Sequence, residues 1–132
     1  MPDPDRFQRH GPVRISASGS HLAHADGTPL IYLADTAWNG GLLSSDSEWE
    51  EYLADRAGRG FTAIQLIAHA PWTGALADRE GRVAFDRDKG GKLRIDEKFY
   101  DRMEGKLAAI NRHGMLAAPV LAWAANFGNS GK

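Results

Sequence analysis

Three short segments set hydrogen-bonding side chains beside an indole: Asp35-Thr36-Ala37-Trp38, Gln65 through His69 to Trp72, and Trp123 to Asn126. A carboxylate, amide or imidazole can address hydroxyls, and a flat indole can cover apolar C–H patches. These are the residue types a polyhydroxylated ligand needs. Asp35 leads the set, because it directly follows the apolar run Leu30-Ile31-Tyr32-Leu33-Ala34. A second reading stays open for it, in which Asp35 or Thr36 caps loop backbone groups. Trp38 and Trp123 are either stacking walls or rim packing. His69, just ahead of Pro71-Trp72, is either a polar site group or a loop histidine bonded to backbone. Gln65 lies inside an apolar run, and its facing is open.

Other chemistries find no support. There is no cysteine, so disulfides, thiolate metal sites and a cysteine nucleophile are excluded. His21 and His24 fall on opposite faces of a strand and make a poor metal pair, and no His-Glu-x-x-His occurs. Gly128-Asn129-Ser130-Gly131-Lys132 has its glycines too close for a phosphate loop, and Gly58-Arg59-Gly60 lacks a third glycine. No Ser-His-Asp arrangement can be argued from spacing. Neither a metal, a cofactor nor a catalytic residue is expected within these residues.

The 132 residues are 42% apolar and 25% charged, the balance of an ordinary globular domain. Lys plus Arg number 16 against 17 Asp plus Glu, so nothing attracts nucleic acid or an anionic membrane. The opening Met1-Pro2-Asp3-Pro4-Asp5 is acidic, with no apolar core of a signal sequence behind it. The apolar runs at Leu30–Ala34 and Met115–Ala125 are too short to span a bilayer. A soluble, cytoplasmic protein is the expectation.

The elements that must position the candidates follow from periodicity. Residues 1–12 read as a flexible lead-in. Val13 to Ser18 alternates, Gly19-Ser20 turns, and His21–Ala25 ends at the hairpin signal Asp26-Gly27. Leu30–Ala34 is apolar throughout, as in a strand covered on both faces. Ser45 with Glu48, or Ser47 with Glu50, fits a capping box ahead of a helical stripe of Trp49, Tyr52, Leu53, Arg56 and Ala57. Trp49 and Tyr52 therefore belong to the core. Phe61–Ala68 is a second buried strand, and residues 69–94 are a long irregular insertion. Asp96 caps a second helix, with Ile95 stapling on Tyr100 and a stripe of Phe99, Tyr100, Met103, Leu107 and Ile110. Met115–Trp123 is a third strand despite Pro119. A hairpin followed by β-α-β-α-β is an α/β chain with a parallel sheet.

The stretch Gly27-Thr28-Pro29-Leu30-Ile31-Tyr32-Leu33-Ala34-Asp35-Thr36-Ala37-Trp38 resembles the opening of the apiosidase-like glycoside-hydrolase family. So do Trp49 to Arg56, Gly60-Phe61-Thr62-Ala63-Ile64-Gln65, and Ile95-Asp96 through Phe99 to His113-Gly114, together covering roughly residues 13–125 in the family's order. The resemblance implies the N-terminal portion of a (β/α)8 barrel, with residues 13–132 supplying an N-terminal hairpin, about three of eight strands and two helices. It implies a full-length enzyme that hydrolyses glycosidic bonds in plant-type poly- or oligosaccharides with two carboxylates, both beyond Lys132. On this reading Asp35, Thr36, Trp38, Gln65, His69, Trp72, Trp123 and Asn126 contact carbohydrate, and the fragment alone is inactive. The alternative is a non-enzymatic half-barrel that assembles with itself or a partner chain through its exposed sheet edge.

Overall fold

A computed structural model describes residues 3–69 and 77–121. The alternation of strand-like and helix-like stretches resolves into a parallel sheet of β4 (Ala34–Trp38), β5 (Ala63–Ile67) and β8 (Leu116–Val120), with β5 in the middle. Ahead of it, α1 (Arg6–His10) leads into an antiparallel sheet of β1 (Val13–Ile15), β2 (Leu22–His24) and β3 (Pro29–Leu30). Between β4 and β5 come α2 (Gly40–Leu43) and α3 (Asp46–Gly58). Between β5 and β8 come the antiparallel pair β6 (Phe85–Arg87) and β7 (Leu93–Ile95), then α4 (Glu97–Arg112). Joining each strand to a parallel neighbour through a helix is the repeating unit of an α/β barrel.

The capping box that forms uses Ser45 and Glu48: the Glu48 amide donates to Ser45 Oγ at 3.2 Å, and the Ser45 amide donates to Glu48 Oε2 at 2.7 Å. Helix α3 then buries Trp49, Leu53 and Ala57, one residue per turn. Asp96 caps α4 by accepting from the Phe99 amide at 3.0 Å, and Phe99, Met103, Ala109 and Ile110 turn inward. These side chains meet Ile64 and Leu66 in one core, so both helices cover the same face of the sheet. The register places Thr36, Gln65 and Ala118 side by side. By strand alternation they occupy the face opposite Ile64 and Leu66, the face that lines a barrel's interior.

Several expectations need correction. The first barrel strand begins at Ala34 rather than Leu30, because the chain changes sheets across Ile31–Leu33. These three residues are exposed. The Leu33 amide donates to Thr62 Oγ1 at 2.8 Å, and the Thr62 amide donates to Leu33 O at 2.9 Å. Apolar continuity marks the segment but not where its pairing partner starts. The insertion is not wholly irregular, since β6 and β7 pair within it around an Asp88–Gly91 turn. Ile95, in β7, is exposed and forms no staple. Pro119 is accommodated because β8 pairs only with β5, leaving it an edge strand among the described elements. No helix among the described residues is long and apolar enough to cross a membrane.

The lead-in also differs from expectation, because Arg6–His10 closes one helical turn. His10 Nδ1 meets Asp26 Oδ2 at 2.7 Å, and the buried His24 donates from Nδ1 to Gly11 O at 2.8 Å. At the α4–β8 turn, Gly114 has φ +72°, and a Cβ there would collide with the Asp3 carbonyl oxygen. Residues 3–12 are thus docked against both the antiparallel sheet and the far end of α4.

Two outcomes are expected of this docking. Gly114→Ala combines left-handed backbone with a main-chain clash, and should cost about 1–3 kcal/mol in urea unfolding. It should also strip amide-exchange protection from residues 6–11, and retained protection would show that Gly114 does not hold the segment. Asp26 is held down to about 2 from 3.8, first by the Thr28 amide and then by His10. Its folded-state value is depressed, so its contribution is complete above the ordinary carboxylate value and fades as pH falls toward 2. The Asp26→Asn variant should show a flatter midpoint-versus-pH curve over that acid window, and an unchanged slope would count against the pairing.

Candidate functional site

Strand β4 ends in an irregularity. Thr36 pairs with Gln65, but Trp38 rather than Ala37 pairs with Leu66, so one residue is bulged. Trp38 takes φ +44°, a left-handed conformation that is costly for a bulky side chain. It keeps 40% of its surface exposed, at the C-terminal end of the strand. Helix α2, directly after the strand, holds it there. Gly40 and Gly41 let α2 lie tightly against the core: an added Cβ would stand 3.1 Å from the Trp49 ring at Gly40, and 2.6 Å from Leu66 Cδ1 at Gly41. Trp49 and Leu66 are both buried, so α2 has little freedom and the bulge before it is pinned.

Asp35 lies elsewhere. It is the second residue of β4, not a loop residue beyond it, and it shares the helix-covered face with Ile64. Its Oδ2 accepts from the Tyr52 hydroxyl at 2.8 Å and from Arg56 Nη1 at 3.1 Å. The Arg56 guanidinium also lies over the Tyr52 and Phe61 rings, at 5.4 and 5.5 Å. Burial first, and the bond to Asp35 second, push the Tyr52 hydroxyl well above its ordinary value, so it stays protonated and donates. Neither reading of Asp35 matches this geometry: it is not a backbone cap and it does not face the barrel interior. It fastens α3 to the first barrel strand. An aspartate is disfavoured in a strand, and two donors from α3 offset that cost here.

Thr36 and Gln65 share the interior face, and Trp38 stands above them in the strand direction. At the end of β5, His69 packs nearly perpendicular to Phe85 of β6, with ring centroids 5.6 Å apart. Its Nδ1 is buried and has no hydrogen-bond partner among the described residues. The expected contacts Trp72, Trp123 and Asn126 lie outside the described residues. Phe85 is an addition to the expected set. Its signal lies in Phe85-Asp86-Arg87 opposite Leu93-Arg94-Ile95, two short runs about a Gly-Gly turn. Among the described residues no group of three or more His, Asp or Glu could hold a metal ion.

The arrangement is an interior face carrying a hydroxyl and an amide, overlooked by a strained tryptophan and a histidine at adjacent strand ends. In barrels, those ends are where ligands are handled. Solved structures agree with the fold. A glycoside hydrolase superposes with a TM-score of 0.68 at 18% identity, over 92% of this chain and 28% of its own. A family 5 glycoside hydrolase from Bacteroides vulgatus gives a TM-score of 0.63 at 16% identity, over 85% of this chain and 25% of its own. The chain thus spans about a quarter of the length of these barrel enzymes, and β4, β5 and β8 are the opening strands of such a barrel. No curated protein sequence matches significantly. The family model "Apiosidase-like, catalytic domain" matches residues 16–132, nearly the whole chain. The chain belongs to the apiosidase-like catalytic-domain family.

Proposed function

We propose that this chain is the N-terminal part of a catalytic domain that hydrolyses glycosidic bonds in plant-type poly- or oligosaccharides. The reading rests on the family match together with one observation, the left-handed Trp38 held at the bulge where the first barrel strand ends. Strain at a strand end facing a barrel mouth is kept where it aims a side chain. In this scheme Trp38 covers the C–H face of a sugar, while Thr36 and Gln65 hydrogen-bond its hydroxyls from the interior face. His69 offers Nδ1 to the same ligand. The chemistry belongs to a pair of carboxylates on later strands: one protonates the leaving oxygen, and the other attacks the sugar or activates water. The residues of this chain bind and orient, and they keep the substrate's apolar face out of water.

A second reading, a half-barrel that functions by assembly, draws on the outer edges of β4 and β8, unpaired among the described residues, and on the exposed Ile31, Tyr32 and Leu33. Sedimentation of this chain alone separates the two. A discrete dimer without a dependence on later strands would favour assembly.

The full-length protein should cleave aryl glycosides or plant polysaccharides. Trp38→Ala or Gln65→Ala should raise KM about tenfold, equivalent to roughly 1.4 kcal/mol of binding. Asp35→Ala should behave oppositely: it strands the Tyr52 and Arg56 donors and should cost about 1–3 kcal/mol of stability, with KM unchanged. A KM that moves with Asp35 and not with Trp38 would overturn the assignment.

A further inference from the structure

The β6–β7 hairpin is firmly rooted yet presents every strand residue to solvent. At its base, Ala84 is buried and its carbonyl accepts from the Asp96 amide at 3.1 Å. The preceding turn is drawn together by the buried Asp78, whose Oδ1 accepts from the Glu80 and Arg82 amides, both at 2.9 Å. At its tip, Asp88 Oδ1 accepts from the Gly90 amide at 2.9 Å and the Lys92 amide at 3.0 Å. All six residues of β6 and β7 are exposed. A hairpin fixed at both ends gains nothing for the core from Phe85 and Ile95 on its surface, because a scaffold strand buries one of its faces.

The pair Phe85 and Ile95 borders a cleft of about 500 Å³ between the hairpin and the first turn of α4. That volume lies within the range of small-ligand sites. The cleft's charged lining is balanced: Arg82, Arg94 and Lys98 against Asp86, Asp96 and Glu97. Arg82 already lies 3.2 Å from Glu80 and 3.9 Å from Asp96, and Asp86 faces Arg94 across the strand register. Balanced donors and acceptors beside one aromatic ring suit a neutral polyhydroxyl ligand better than an anion, which would meet as many carboxylates as cations. One residue links the cleft to the proposed site. Phe85 lines it and at the same time packs on His69 at the end of β5, leaving 44% of Phe85 exposed.

We infer that the cleft between the β6–β7 hairpin and α4 is an outlying subsite for a neutral sugar unit of an extended substrate, with Phe85 as the wall it shares with His69. The inference rests on the glycosidase reading for its location at the barrel mouth, and it is tested separately by binding. The full-length protein is titrated calorimetrically with neutral hexasaccharides of xylose, glucose and arabinose, the corresponding disaccharides, and hexagalacturonate. At least one neutral hexasaccharide should bind, and Phe85→Ala and Arg94→Ala should each weaken it about tenfold. Phe85→Tyr should keep full affinity, and the disaccharide should be insensitive to Arg94→Ala, which does not touch His69. Equal affinity in the variants, no binding of any neutral hexasaccharide, or a preference for hexagalacturonate would overturn the subsite. Phe85-dependent binding without hydrolysis would support the subsite and overturn only the proposed activity.

Discussion

Two helices are locked to each other by one reciprocal contact, and the barrel mouth takes its position from it. The Trp49 indole of α3 donates from Nε1 to the Lys106 carbonyl of α4 at 3.1 Å. The Lys106 ammonium reaches back to the start of α3, meeting Ser45 O at 2.9 Å and Asp46 Oδ1 at 2.8 Å. Lys106 is only 2% exposed, and a lysine so placed is tolerable only with acceptors around its charge. Its contribution is positional: it satisfies carbonyls at the junction of α2 and α3, where Ser44 O also accepts from Arg102 at 2.7 Å. The same Trp49 ring limits how far α2 can move, and α2 directly follows the bulge at Trp38. The strained tryptophan is therefore referenced, through one ring and one ammonium, to the helix that precedes β8.

Much of this fold is legible from periodicity and capping. The Ser45–Glu48 box, the Asp96 cap and the two apolar stripes mark the helices, and short joins between strands and helices imply the parallel sheet. The start of β4 is not legible, because a continuous apolar run has no phase: nothing in Leu30–Ala34 tells where one sheet yields to the next. The place of Asp35 is hidden for the same reason. A carboxylate next to an apolar run reads as a strand end, and only the arrival of Tyr52 and Arg56 from α3 makes an interior position tolerable.

The candidate site is legible as a set of residue types, less so as a geometry. Thr36 and Gln65 share a face because they are register partners, a relation between segments that no local pattern encodes. Trp38 stands out by its type, while the left-handed backbone that aims it comes from the bulge. Phe85 escapes a local reading because its neighbours look like a charged loop, Asp86 to Lys92. The pairing of Phe85 with Ile95 emerges only when both flanks are read together.

The close approach of Gly114 to the Asp3 carbonyl also bears on synthesis. The segment around Asp3 leaves the ribosome well ahead of its docking partner, which lies about 110 residues later in the chain. At cellular elongation rates that separation amounts to on the order of ten seconds. During that interval α1 and the residues beside it have only the antiparallel sheet to rest on. Phe7 can already pack on His24 of that sheet, with ring centroids 5.7 Å apart, whereas the Asp3 carbonyl gains its neighbour only when the α4–β8 turn emerges. The segment is thus made early, and its Asp3 end is secured only after the α4–β8 turn has been synthesised.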